Sequence, residues 1–374
     1  MMTNRELTDY RKLRNTSLLA VILPLLGWLA GCGTGKKELS VTDRKTMVTN
    51  LTKEVIVPAF ETFLKATDSL AAAGVQFRTA PGKANLESMR AHWLLAAQSW
   101  KKAATFSFGP VDDEFLGGGI DYTGVHYPNI EKIIASSDPI DSAFVESRGS
   151  SLKGLKAIEY LLFNRGDTAL SDLSSSPRRM AYLAALTQNL NVQAKKVVDA
   201  WTKGSPSYAE TFSNADGKDL KSALNILVNQ CISRINMIKD ERLAVPLGMR
   251  NEGNPRPDLV EGRLSGSSVL LLRSELEGLR SIFNSDGKAY LNSLLDQLGA
   301  QYNGKPLSEA IAAHFETADR QAAGIAADLE KAITQHPDSV RQLYDSLKKL
   351  QILLEVDVVN QLGVIMTFSD NDGD

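Results

Sequence analysis

The sequence predicts an all-α protein built as two antiparallel helical-bundle domains. Three observations predict it. Apolar residues recur at steps of three and four through most of the chain. Few stretches alternate at period two, which speaks against a sheet. About four long helical patterns fall on each side of residue 205, where Gly204-Ser205-Pro206-Ser207 marks a boundary. The 374 residues suffice for two domains of ordinary size, and 43% hydrophobic with 23% charged residues describes a folded chain rather than a disordered one.

The first element is a leader. Arg11, Lys12 and Arg14 precede an apolar run over 18–29, and Leu29-Ala30-Gly31-Cys32 follows. A positive start, a short apolar core and small residues before a cysteine make a lipoprotein signal peptide over 1–31, with lipid attached at Cys32. The apolar run is shorter than the roughly 20 residues of a permanent membrane helix. Gly33-Thr34-Gly35-Lys36-Lys37-Glu38 belongs to a polar tether over 32–40. Its glycine spacing does not match a phosphate loop. Two or more acyl chains make a stable anchor, so the membrane is an expected partner and the cell envelope the expected location.

The body then divides into 41–205 and 206–374. A helix is expected over 41–73, capped at Thr42-Asp43 and kinked at Pro58. Over 83–108, Leu86, Met89, Trp93, Ala96, Trp100 and Ala103 give the clearest helical spacing in the chain. A long irregular loop follows from Gly109 through Pro128, with Gly117-Gly118-Gly119, Asp121, His126 and Tyr127. Such loops are functional more often than decorative. A short, very apolar helix is expected over 152–163, and amphipathic helices over 178–203 and 218–243. A loop rich in Gly, Pro and Asn spans 246–262, and helices are expected over 267–284, 289–299, 307–335 and 339–363.

Composition excludes several function classes. Net charge is −2, and removing 1–31 takes away four bases and two acids, leaving about −4 with no basic stripe for nucleic acid. Only Cys231 remains beside Cys32, so no intramolecular disulfide is expected. Cys231 shares a helical stripe with Leu224 and Leu227 and reads as a small buried hydrophobe. There is no His-Glu-x-x-His and no Gly-x-Ser-x-Gly, so neither a zincin helix nor a serine-hydrolase elbow is present.

Several segments resemble the imelysin-like family. They are TMVTNLTKEVIVPAFETFLKATDSLAA at 46–72, WLLAAQSWKKAATFSFGPV at 93–111, GLKAIEYLLF at 154–163, SGSSVLLLRSELEGLRSIF at 265–283 and NQLGVIMTFSDNDGD at 360–374. The resemblance covers almost all of the mature chain in the right order. It implies two helical bundles with a pocket between them, and an envelope protein associated with iron uptake. It further implies either a binding protein for a small ligand or metal or a metallopeptidase of the imelysin type, with a divalent metal or iron as the cofactor and iron-uptake components as partners. The family's metal motif is Gly-x-His-x-x-Glu. Gly154, Lys156 and Glu159 occupy the matching positions, so Lys156 stands where the motif has His. An ammonium has no lone pair and does not ligate a metal, which leaves Glu159 as the motif's one metal-ligand candidate and argues against the peptidase route.

The candidate pocket residues are Asp121, His126, Lys156, Glu159, Ser268 and Arg273. Lys156 and Glu159 stand three apart on one helix face. They form a solvated ion pair, or, because Leu155, Ile158, Leu161 and Leu162 make this helix apolar nearly all round, they are partly desolvated and paired or face a lined cavity. Asp121 with Glu159 could hold a hard cation or an amine, and His126 lies in the same loop as Asp121. Ser267 suits an N-cap. Arg273, among Leu270, Leu271, Leu272 and Leu276, needs an anionic partner, for which Glu159, the C-terminal carboxylates or an acidic ligand are the candidates. Asp370-Asn371-Asp372-Gly373-Asp374 begins like a calcium loop but lacks the bidentate Glu at its twelfth position.

Overall fold

The computed structural model describes residues 38–367 apart from 326 and 327. The leader with Cys32, most of the tether and the acidic stretch from Asp370 lie outside them. The first helical rod runs from Val41 to Thr79 as α1 (Val41–Leu51), a π-helical turn (Thr52–Ile56) and α2 (Val57–Thr79). Its cap is Ser40, not Thr42-Asp43. The Ser40 hydroxyl accepts from the Asp43 N–H and the Asp43 carboxylate accepts from the Ser40 N–H, a reciprocal capping box. The π turn lies immediately before Pro58. A proline removes one N–H and crowds the carbonyl four residues earlier, and a widened turn relieves both.

After α3 (Lys83–Ala103) the expected irregular stretch contains short helical pieces and then α4 (Tyr127–Ala135). The remaining long helices are α5 (Leu155–Phe163), α6 (Pro177–Thr202), α7 (Ala223–Met237), α8 (Ser268–Phe283), α9 (Leu291–Leu298), α10 (Leu307–Gly324) and α11 (Pro337–Ile352). The helix expected over 307–335 is interrupted after Gly324 and resumes as Leu329–Gln335. Among the described residues, strands are limited to two minimal hairpins, Asn284–Ser285 with Lys288–Ala289 and Gln301–Tyr302 with Lys305–Pro306. These flank α9. The fold is all-α, as the periodicity predicts.

The described residues fall within one compact unit by their contacts. The α2 helix packs on α3 and α6, α3 crosses α8, and α8 and α11 pack on α10. Phe60, Phe63, Trp93, Tyr182, Trp201 and Phe283 are fully buried in one continuous core. The α3–α8 crossing is close because Gly278 has no side chain: a Cβ there would lie 2.5 Å from the Lys102 carbonyl oxygen. That crossing brings the signature helix α5, which also packs on α3, to the start of α8. Among the described residues, no helix is long and apolar enough to cross a membrane.

Candidate functional site

A buried charge cluster lies where α3 and α5 meet α8. Lys101, on the last turn of α3, is 3% exposed. Its ammonium is 2.7 Å from Asp121, 2.8 Å from Glu261 and 3.3 Å from Glu275. The Lys156 ammonium, from the first turn of α5, is 3.2 Å from the same Glu261 oxygen. A π-helical segment (Ile238–Ala244) extends α7 and carries Arg242, whose Nε is 3.1 Å from the other Glu261 oxygen and whose Nη2 is 3.6 Å from Glu275. π turns are rare and recur at functional positions.

The charges tune one another. Burial alone would raise the Glu261 carboxyl, but Arg242, Lys101 and Lys156 outweigh it and hold Glu261 well below the usual carboxylate range. Burial likewise works against the Lys101 ammonium, yet Asp121, Glu261 and Glu275 keep it above the ordinary lysine value. Arg234, on α7 near Glu275 and Arg242, is pulled below its usual value by burial. Among the described residues, its recorded polar contact is Met237 Sδ at 3.5 Å, with no carboxylate in an ion pair. The Glu275 Oε2 atom is buried without a hydrogen-bond partner.

Glu159 sits beside this cluster and is 4% exposed. It does not pair with Lys156. Its Oε1 accepts from the Ser265 N–H at 3.0 Å and from the Ser265 hydroxyl at 2.7 Å, and Ser265 in turn contacts the Ser267 hydroxyl at 2.6 Å. Ser267 occupies the N-cap position of α8, but its side chain makes no capping bond. Burial pushes the Glu159 carboxyl above its ordinary value, more than Ser265 and Lys156 pull it down. Tyr127 stacks on Tyr160 with ring centroids 4.4 Å apart, and burial followed by the Glu159 charge raises its phenol.

The sign of the Glu159 shift gives a prediction. Above its ordinary value of 4.5, the unfolded carboxyl has released its proton while the folded one still holds it. Stability therefore falls as pH rises from there to the folded value. Glu159→Gln keeps an acceptor for Ser265 and removes the titration. Urea unfolding across pH 4–8 is expected to show a variant at least as stable as the parent at neutral pH, with the falling component gone. A variant less stable by more than about 1 kcal/mol at pH 7 would contradict this.

The structure brings together Asp121, Lys156 and Glu159. His126 and Arg273 go elsewhere. His126 is exposed, and its Nδ1 accepts from the Asn129 N–H at 3.2 Å, capping α4. Arg273 pairs with Asp319 of α10, Nε to Oδ1 at 2.7 Å and Nη2 to Oδ2 at 3.1 Å. It thus lines a separate cleft of about 300 Å³ with Gln98 and Phe315. Glu159 does not supply its anion, because Arg273 pairs with Asp319 on the α10 side of α8; the C-terminal carboxylates lie outside the described residues. Ser268 is the buried first residue of α8, on the helix face that carries Leu272 and Glu275.

Lys101, Arg242, Glu261 and Glu275 escape the reading of the sequence. Two of them left a trace: Lys101 follows Trp93 and Ala97 at steps of four, and Glu275 shares the stripe of Leu272 and Leu279. A charge in register with an apolar stripe signals a buried partner. The π segment that aims Arg242 leaves no such trace.

The donor set does not suit a divalent metal. Asp121, Glu261 and Glu275 already face Lys101, Lys156 or Arg242, and the Glu159 oxygen accepts from Ser265. Among the described residues, no three His, Cys, Asp or Glu side chains gather in a metal-holding arrangement.

The family model Imelysin (Peptidase_M75) matches residues 56–354. A relative from Synechococcus elongatus, "Iron-regulated protein A", is 28% identical over 273 residues, covering 69% of this chain and 71% of the relative. The crystal structure of an imelysin-like protein from Psychrobacter arcticum is similar at TM-score 0.74 and 19% identity, over 88% of this chain and 99% of that one. An iron-regulated protein A precursor from Parabacteroides distasonis is similar at TM-score 0.73 and 18% identity, over 88% and 97%. At those identities the two structures share the fold alone with this chain.

Proposed function

The chain belongs to the imelysin family, and on that premise we propose that it is a lipid-anchored envelope protein that captures a small anionic ligand in the service of iron acquisition. The observation that carries the reading is the buried charge balance. Four basic side chains, Lys101, Lys156, Arg234 and Arg242, stand against the carboxyl groups of Asp121, Glu261 and Glu275, while burial raises the Glu159 carboxyl above its ordinary value. Such a site repels a bare cation and favours an anion. Iron would therefore be met as an anionic chelate at Lys156 and Ser265, which are partly exposed beside the buried Glu159. The "iron-regulated" names of the relatives support the iron connection. The leader ending at Cys32 supports the anchor, and the "precursor" relative fits an exported protein.

Calorimetric titration tests the reading, with ferric citrate, free citrate and the bare ions Zn²⁺ and Fe²⁺ as probes. Citrate-bearing probes are expected to bind, and Lys156→Gln is expected to weaken them about tenfold, the worth of one charge-assisted hydrogen bond. The bare ions are expected to give no heat. Unfolded protein substrates are expected to survive with and without chelator. Binding of Zn²⁺ in preference to citrate, or chelator-sensitive cleavage, would replace this reading with a metallopeptidase using substitute ligands.

A further inference from the structure

A second cleft, of about 450 Å³, opens between the C-terminal end of α8, the Asn284–Ala289 hairpin, α9 and α10. It contains none of the residues of the charge cluster. Arg280 of α8 lines it, as do Glu309, the small Ala312 and Glu316 at successive turns of α10. Asp286 stands at the hairpin tip. Among the described residues, none of Arg280, Asp286, Glu309 and Glu316 takes part in an ion pair, although the cleft's other base, Lys288, pairs with Glu54 at 2.9 Å. Opposite charges thus line one concavity without meeting. Asn292 also lines the cleft; it is 7% exposed and its Oδ1 has no hydrogen-bond partner. A buried amide left unpaired in a cleft wall is costly unless something completes it.

We infer that this cleft binds a small zwitterion of the amino-acid or short-peptide class. Its carboxylate meets the Arg280 guanidinium, which is suited to planar anions. Its ammonium meets Glu309 and Glu316, and the Asn292 amide completes the polar floor. The volume falls within the usual range of about 300–1,000 Å³ for small-ligand sites. A lone carboxylate would leave the acidic wall unsatisfied, and a lone amine would leave Arg280 so. The separation of the charges therefore selects a ligand that carries both.

Calorimetry of the whole chain with alanylalanine tests this, with acetate and methylamine as single-charge probes. Alanylalanine is expected to saturate one site and to bind at least about tenfold more tightly than either single-charge probe. Arg280→Gln, and separately Glu309→Gln with Glu316→Gln, are each expected to weaken it by about tenfold or more. Thermal unfolding should stay unchanged, because these side chains are exposed. No heat up to roughly 10 mM alanylalanine, equal binding of acetate alone, or variants that bind like the parent would overturn the assignment. The outcome is independent of the citrate titration, since the two sites share no residue.

Discussion

Lys101→Met is expected to cost the fold about 3–5 kcal/mol at pH 7, the usual penalty for removing one partner from a buried ion cluster. Methionine preserves most of the volume, so a cavity contributes little. The loss is electrostatic: Asp121, Glu261 and Glu275 all lie within 3.3 Å of the ammonium that disappears, and Arg242 cannot neutralise the three. The pH dependence separates this cause from simple loss of packing. Glu261 is held well below its ordinary value, so the stability it confers is present above pH 4.5 and lost as pH falls toward the folded value. Without Lys101 the Glu261 value moves upward, and the variant loses less on acidification than the parent does. Urea midpoints measured from pH 7 to pH 3 should therefore converge below about pH 4.5. A penalty that stays constant over that range, or one below about 1 kcal/mol, would show that the cluster contributes little to the fold.

The contrast between Lys101 and Arg242 shows how far the sequence could be read. Helix-forming stripes were legible wherever a helix is straight and half-buried, as in α3, where Leu86, Met89, Trp93, Ala96 and Trp100 all lie in the core. For Lys156 and Glu159 the apolar residues around them pointed to burial, with a solvated ion pair as the alternative, and both are mostly buried without pairing with each other. Their partners were not. Glu261 and Ser265 come from a polar loop about a hundred residues away, and nothing local encodes which loop meets which helix. Arg242 depends on a π turn, where one extra residue per turn rotates all that follows relative to a 3.6 period. His126 failed as a pocket residue for a local reason: a histidine at an N-cap position can satisfy a first-turn N–H, and it does so with Asn129. Arg273 called for an anion and found one, but on α10, because its step along α8 turns it away from Glu275. The charge cluster therefore keeps Asp121, Lys156 and Glu159 of the expected pocket residues and is centred on Lys101.

Gly154→Ala tests whether that cluster needs the backbone that holds it. Gly154 has φ +83° and ψ −170°, a region that side chains beyond glycine rarely enter and that costs about 1–3 kcal/mol when they do. A Cβ there would lie 2.4 Å from the Ile120 carbonyl oxygen and 2.8 Å from its carbon. These are backbone atoms, so no rotamer change relieves the clash. One of the two segments must move: the start of α5, which carries Lys156, or residues 119–121, which end in Asp121 at 2.7 Å from Lys101. Either movement pulls a charge away from its partner. Strain and the loosened cluster together are expected to cost about 3–5 kcal/mol, at the far end of single-substitution effects. Gly149→Ala is the control, since Gly149 has φ −64° and an added Cβ meets nothing within 4 Å. That change should be neutral or stabilising by up to about 1 kcal/mol through the unfolded chain. Chemical unfolding of both variants beside the parent decides the matter. If Gly154→Ala stays within about 1 kcal/mol of the parent, the glycine is not what fixes α5 against Ile120, and the placement of Lys156 beside Glu261 must rest on packing around α3 instead.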